Sequence, residues 1–170
     1  MTKDEVVAQI KQLQLPLGQY IVMGGATLAV RSIRETKDLD ILVMPGLFEE
    51  LKKQFPLDPV YEEKWHRQRL KAGELEFYPD FYYEKRNLFV DVVELIKDAE
   101  IIEGLPFQKL PHLMDAKLDT AREKDLHDVA LIQDYLARMV GSSACCGLPT
   151  TEGLLSSPHS GFIVVVYPVK

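Results

Sequence analysis

The stretch "YIVMGGATLAVRSIRETKDLDILV", Tyr20–Val43, constrains this chain more than any other. Tyr20–Met23 is short, apolar and β-branched, so it reads as a buried strand. Gly24-Gly25 turns the chain, Ala26–Arg34 reads as a helix, and Asp38–Met44 reads as the next strand. Pro45-Gly46 ends that strand, and Leu47–Phe55 reads as a further helix with Leu47, Phe48 and Leu51 inward. Strand, helix, strand, helix favours an α/β (α+β) fold: a small mixed sheet flanked by helices.

The same stretch carries chemistry-bearing residues. Side chains two apart on a strand point to one face, so Asp38 and Asp40 project together. Paired carboxylates repel unless a cation lies between them. Mg²⁺, with Mn²⁺ as a substitute, takes hard oxygen ligands and commonly uses one or two carboxylates plus phosphate oxygens. The plain alternative is a turn aspartate followed by a solvated strand aspartate. Gly24-Gly25, between a strand and a helix, exposes backbone N–H groups that favour a phosphate; ordinary turn chemistry is the alternative. Together the two features describe a site for a nucleoside triphosphate with Mg²⁺.

The remaining chain frames this unit. Thr2–Glu5 fits a capping box, followed by Val6, Val7, Ile10 and Leu13 at helical spacing. Leu88–Ile96 reads as a strand, and "IIEGLPFQKLP" as a connector with at most one short strand. His112–Ala121 and Lys124–Val140 read as two C-terminal helices. Composition shifts at Gly141, so residues 1–140 form the expected domain and 141–170 a tail. That tail is a linker plus either a terminal strand on a sheet edge or a loose appendage.

With 170 residues, one domain is the default. No apolar run approaches the roughly 20 residues that span a bilayer, and "MTKDEVVAQI" lacks a signal-peptide core. A cytoplasmic protein with no membrane partner is the expectation. Cys145 and Cys146 are adjacent and give no disulfide framework. A net charge of −6 argues against a general nucleic-acid coat. The four histidines have no zinc-ligand spacing, and the Walker pattern is absent. Lys64, Arg67, Arg69 and Lys71, with Trp65, form a basic and aromatic patch: a solvated face, or a contact for an RNA backbone and base.

"GGATLAVRSIRETKDLDILV" resembles the signature of the nucleotidyltransferase superfamily, the polymerase-beta-like fold, in which a Gly-Gly or Gly-Ser turn and a helix precede D-x-D. It is most similar to the AbiEii-like abortive-infection toxin type and its uncharacterised relatives. "LPHLMDAKLDTAREKDLHDVALI" resembles that type's C-terminal block. The resemblance implies transfer of a nucleoside monophosphate from a triphosphate to an acceptor hydroxyl on RNA, protein or a small molecule, releasing pyrophosphate. It implies a toxin or antitoxin partner. Asp38, Asp40 and, as third carboxylate in "LFVDVVELI", Asp91 would be catalytic and hold the metal. Glu94, Glu74 and Glu76 are secondary candidates. Gly24, Gly25, Thr27, Lys37 and Lys117 would bind the nucleotide, with Arg122, Lys124, Asp125 (as an N-cap) and Asp128 (orienting Arg122 or Lys117) as supporting residues; a capped, salt-bridged helix pair is the alternative for this block. The second reading is a non-catalytic nucleotide- or partner-binding module of the same fold, such as a toxin–antitoxin component.

Overall fold

The computed structural model describes residues 1–143. Helix α1 spans Lys3–Gln12, and its Thr2 and Glu5 make both hydrogen bonds of the expected capping box. The chain enters β1 at Tyr20–Met23, continues through the short α2 (Gly24–Ala29), and returns in β2 (Leu39–Val43). Helices α3 (Pro45–Leu51) and α4 (Pro59–Trp65) follow, the latter capped by the Asp58 carboxylate on the Val60 and Tyr61 N–H groups. Strands β3 (Leu70–Ala72) and β4 (Leu75–Tyr78) form a hairpin, and β5 (Phe81–Tyr83) and β6 (Leu88–Val90) form a separate one. Helix α5 (Val92–Lys97), strands β7 (Glu100–Ile102) and β8 (Leu105–Phe107), and helices α6 (Leu110–Thr120) and α7 (Glu123–Ser143) complete the order. Helix α7 runs past the expected boundary at Gly141, and the expectations for residues 144–170 lie outside the described residues.

The six-stranded mixed sheet has the order β3-β4-β2-β1-β8-β7. Although a helix separates them, β1 and β2 pair antiparallel, with Met23 opposite Asp40. Strand β2 pairs parallel with β4, which sets Asp40 beside Glu76. Strand β8 lies parallel on the other side of β1, with Val22 beside Phe107.

Alternation along these strands divides the residues between two faces. Tyr20, Val22, Ile41, Phe77 and Phe107 pack with α1, α2 and α3 in the main core. Ile21, Met23 and Leu42 face the other way, onto Leu95 and Ile96 of α5. Asp40 shares this second phase with Leu42, and Asp38 immediately precedes β2.

Two expectations fail. Leu88–Ile96 is a short strand followed by a helix, because Asp91 caps α5 by accepting from the Val93 and Glu94 N–H groups at 2.8 and 3.3 Å. The 101–111 connector contains the hairpin β7–β8. Its turn residues Glu103 and Gly104 both have positive φ, 54° and 79°, the backbone a two-residue hairpin loop requires.

Candidate functional site

The ends of β1 and β2 meet because the strands run antiparallel in register. A cleft of ≈ 590 Å³ opens there, with Gly24, Gly25, Asp38 and Asp40 among its lining residues. Its walls come from α4 and β4–β5 on one side and from the α6–α7 junction on the other, where Lys117, Arg122 and Lys124 line it.

The two glycines serve the site through the space they leave. Gly24 has φ +61°, and a Cβ there would lie 2.3 Å from Asp40 Oδ2. At Gly25 a Cβ would lie 2.3 Å from Thr36 Oγ1. The Asp40 carboxylate and the Thr36 hydroxyl therefore occupy the room that a side chain would fill. The Thr36 hydroxyl in turn donates to the Asp38 carbonyl at 3.1 Å, which fixes the segment leading into the aspartate pair.

The surroundings of Asp40 disfavour its charged form. Burial, then Asp38, then Glu76 raise its pKa to about 7, outweighing the Tyr78 hydroxyl and Arg69. Glu76 is a different case. Burial raises its pKa, but Lys71, Tyr78 and Arg69 together bring it below the ordinary value. Its carboxylate accepts from Arg69 at 2.6 Å, from Tyr78 at 2.5 Å and from Lys71. Tyr78 reaches on to Asp40 Oδ1 at 3.4 Å. So the acidic row has one neutralised member, Glu76, and a pair, Asp38 and Asp40, without comparable counter-charge. Two hard carboxylates suit Mg²⁺ when phosphate oxygens and water complete its shell. Among the described residues, no group of three or more His, Cys, Asp or Glu side chains is arranged to hold a metal ion.

The opposite wall is a chain of ion pairs. Arg34 binds Asp128 through two bonds of 2.5 and 2.7 Å. Lys117 contacts Asp128 at 2.6 Å and Asp125 at 3.3 Å, and Arg122 contacts Asp125 at 2.6 Å. Burial raises the Asp125 pKa, but Arg122, Thr120 and Lys117 overcome it and hold the group at about 2. Asp128, also pushed up by burial, is brought below the ordinary value by Arg34 and Lys117. Lys117, its side chain 11% exposed, is therefore fixed at the cleft wall rather than swinging freely. Asp125 lies inside the first turn of α7, not at its cap, because that helix begins at Glu123.

Other expected residues lie elsewhere. Thr27 is fully buried and donates to the Val22 carbonyl at 3.3 Å. Lys37 is exposed. Neither lines the cleft, and Asp91 does not line it either: its carboxylate caps α5. The third carboxylate beside the pair is Glu76, placed by the parallel register of β2 and β4. The basic patch is mostly paired. Arg67 bonds Asp80 at 2.7 Å, Arg69 joins Asp58 and Glu76, and Lys64 stacks on Trp65 at 4.7 Å. Sequence reasoning missed Arg34, Tyr78 and Gln108, all of which line the cleft. No family model matches this chain and no curated protein matches it, so its own geometry carries the functional reading. No helix among the described residues is long and apolar enough to cross a membrane.

Proposed function

We propose that the chain is a Mg²⁺-dependent nucleotidyltransferase. It moves a nucleoside monophosphate from a triphosphate to an acceptor hydroxyl. The observation that carries this reading is the convergence of Asp38, Asp40, Gly24 and Gly25 at the start of α2, and Lys117 on one cleft. Its ≈ 590 Å³ falls within the roughly 300–1,000 Å³ of small-molecule sites. Asp38 and Asp40 would hold Mg²⁺, or Mn²⁺ in its place, which would supply positive charge and Lewis acidity to the phosphates.

In the proposed reaction the acceptor oxygen bonds to the α-phosphorus. The bond from that phosphorus to pyrophosphate breaks, and the acceptor's proton passes to a carboxylate of the pair. Asp38 and Asp40 would be the residues that hold the cation beside the triphosphate. The α6–α7 wall brings Lys117, Arg122 and Lys124 to the same cleft, with Lys117 held in place by Asp125 and Asp128. Such catalysis is positioning and electrostatics held in place before the substrate arrives. The charges need no rearrangement because their partners already fix them.

One observation favours a second reading. Glu76 is neutralised by Arg69 and Lys71, and Asp91 is engaged in a cap. A two-carboxylate site of this kind suits a module that binds a nucleotide or a toxin–antitoxin partner without transfer. Incubation with each α-labelled triphosphate, Mg²⁺ and cell extract separates the readings. Label transferred by the native chain and lost in Asp38→Ala/Asp40→Ala supports the enzyme. Equal labelling by both removes the transferase proposal, and Mg²⁺-dependent nucleotide binding with no label transfer favours the module.

A further inference from the structure

Helix α4 buries none of its residues. Val60, Tyr61, Lys64 and Trp65 of this helix all line the cleft. Residues four apart are neighbours on a helix surface, so Val60 with Lys64 and Tyr61 with Trp65 make one continuous face. Apart from Lys64 that face is apolar and aromatic, and it is open: Val60 is 71% exposed and Trp65 38%. Tryptophan is highly buried on average in folded proteins, so an open indole on a cleft wall calls for an occupant.

The rings are tied to the carboxylate pair. The Tyr61 centroid lies 6.5 Å from that of Trp65 and 5.8 Å from that of Tyr78. Arg69, itself ion-paired to Asp58 and Glu76, sits 4.5 Å from the Tyr61 ring and steadies it. Tyr78 reaches Asp40 Oδ1 at 3.4 Å. A run of contacts along one wall thus leads from Trp65 to Asp40. The charge beside it is uncommitted: Lys64 lies over the indole at 4.7 Å and has no ion pair among the described residues. The α6–α7 wall is different, built from the paired charges of Lys117, Arg122, Asp125 and Asp128. An aromatic face with a spare cation complements a flat ring that carries negative charge. A bare phosphate would engage Lys64 and leave the indole idle.

We propose that the α4 face is the nucleobase subsite of the cleft: the base of the bound triphosphate stacks on Trp65, and its phosphates run from there toward Asp38 and Asp40. The inference rests on the nucleotide reading above and adds the place of the base to it. Stacking accepts any base, because each presents a flat π face. This wall therefore sets affinity and orientation rather than the choice of base.

Trp65 is the only tryptophan in the chain, so its emission reports on this position alone. The test is fluorescence titration with α,β-methylene analogues of the four nucleoside triphosphates and with inorganic tripolyphosphate, each with Mg²⁺. Calorimetry on the same ligands measures binding independently. Expected is saturable quenching by every nucleotide analogue at the affinity that calorimetry gives, and none by tripolyphosphate. Trp65→Leu should bind the analogues roughly tenfold more weakly, the loss of one base–aromatic stack, with tripolyphosphate affinity unchanged. Trp65→Phe, which keeps a ring, should recover most of that loss. Calorimetric binding of the analogues without quenching overturns the inference, as does native-like analogue affinity in Trp65→Leu. A parallel loss of tripolyphosphate affinity in Trp65→Leu assigns the residue to the fold instead and also overturns it. No calorimetric binding of any analogue by the native chain removes the nucleotide reading itself, and this inference with it.

Discussion

Replacing Asp40 by Asn should stabilise the unliganded protein, and the gain should depend on pH. The carboxyl has a pKa of about 7 in the fold against an ordinary 3.8, because burial, Asp38 and Glu76 oppose its charge. A folded pKa above the unfolded one means that the fold prefers the neutral acid. The cost of ionisation is absent below about pH 4, grows by 1.36 kcal/mol per pH unit from there to pH 7, and is constant above. Its upper limit is thus about 4 kcal/mol at pH 8. Asparagine is neutral throughout and keeps the side-chain oxygen that Tyr78 contacts at 3.4 Å. The difference should appear in urea unfolding at pH 4, 5, 6, 7 and 8 as a gap between variant and native chain that widens up to pH 7 and then levels off. By thermal melting at pH 8 the gain should be on the order of 10 °C for a domain of this size. The same variant should lose its stabilisation by Mg²⁺ and nucleotide. A gap that stays flat from pH 4 to 8, or a variant less stable than the native chain at pH 8, would refute the placement of Asp40 as a half-buried carboxylate whose charge Asp38 and Glu76 oppose.

Three further perturbations follow from the geometry. Gly24→Ala places a Cβ 2.3 Å from Asp40 Oδ2 at φ +61°, so it should cost about 2 kcal/mol or more. The control Gly46→Ala, with open space around it, should change stability by less than about 1 kcal/mol; both are read by denaturant titration. Asp91→Ala removes the α5 cap and should cost about 1 kcal/mol, yet leave label transfer at the native level, which distinguishes a cap from a third catalytic carboxylate. Lys117→Met strips one cation from Asp125 and Asp128, which keep Arg122 and Arg34, so unfolding free energy should fall by about 1.5 kcal/mol and nucleotide affinity with it.

Much of the local structure was legible because local rules decide it. Thr2 and Glu5 form a reciprocal cap within one turn. Tyr20–Met23 is a strand flanked by turn residues on both sides, and the two C-terminal helices follow their apolar spacing. Asp91 was misread because a β-branched run surrounds it, although Asp is a favoured N-cap. The β7–β8 hairpin was signalled by Glu103-Gly104 between two β-prone triplets, each too short to stand out by periodicity. Within the site, Asp38, Asp40 and the glycines were legible as a spacing along the chain. Glu76 stood only as a secondary candidate and Gln108 not at all, since their places depend on which strands lie beside β2 and β1. The sequence offered Asp128 as a partner for Lys117, which it is; it did not show that Arg34, 94 positions from Asp128, would join the pairing.

The central claim is that Asp38 and Asp40 hold a divalent cation together with a nucleotide's phosphates. Electron paramagnetic resonance titration with Mn²⁺ tests it most directly, with and without an α,β-methylene nucleoside triphosphate. Two carboxylates without a third free protein ligand should bind Mn²⁺ weakly alone and markedly more tightly with nucleotide, and Asp40→Asn should abolish that enhancement. Equal Mn²⁺ binding by the native chain and Asp40→Asn in the presence of nucleotide would contradict the account.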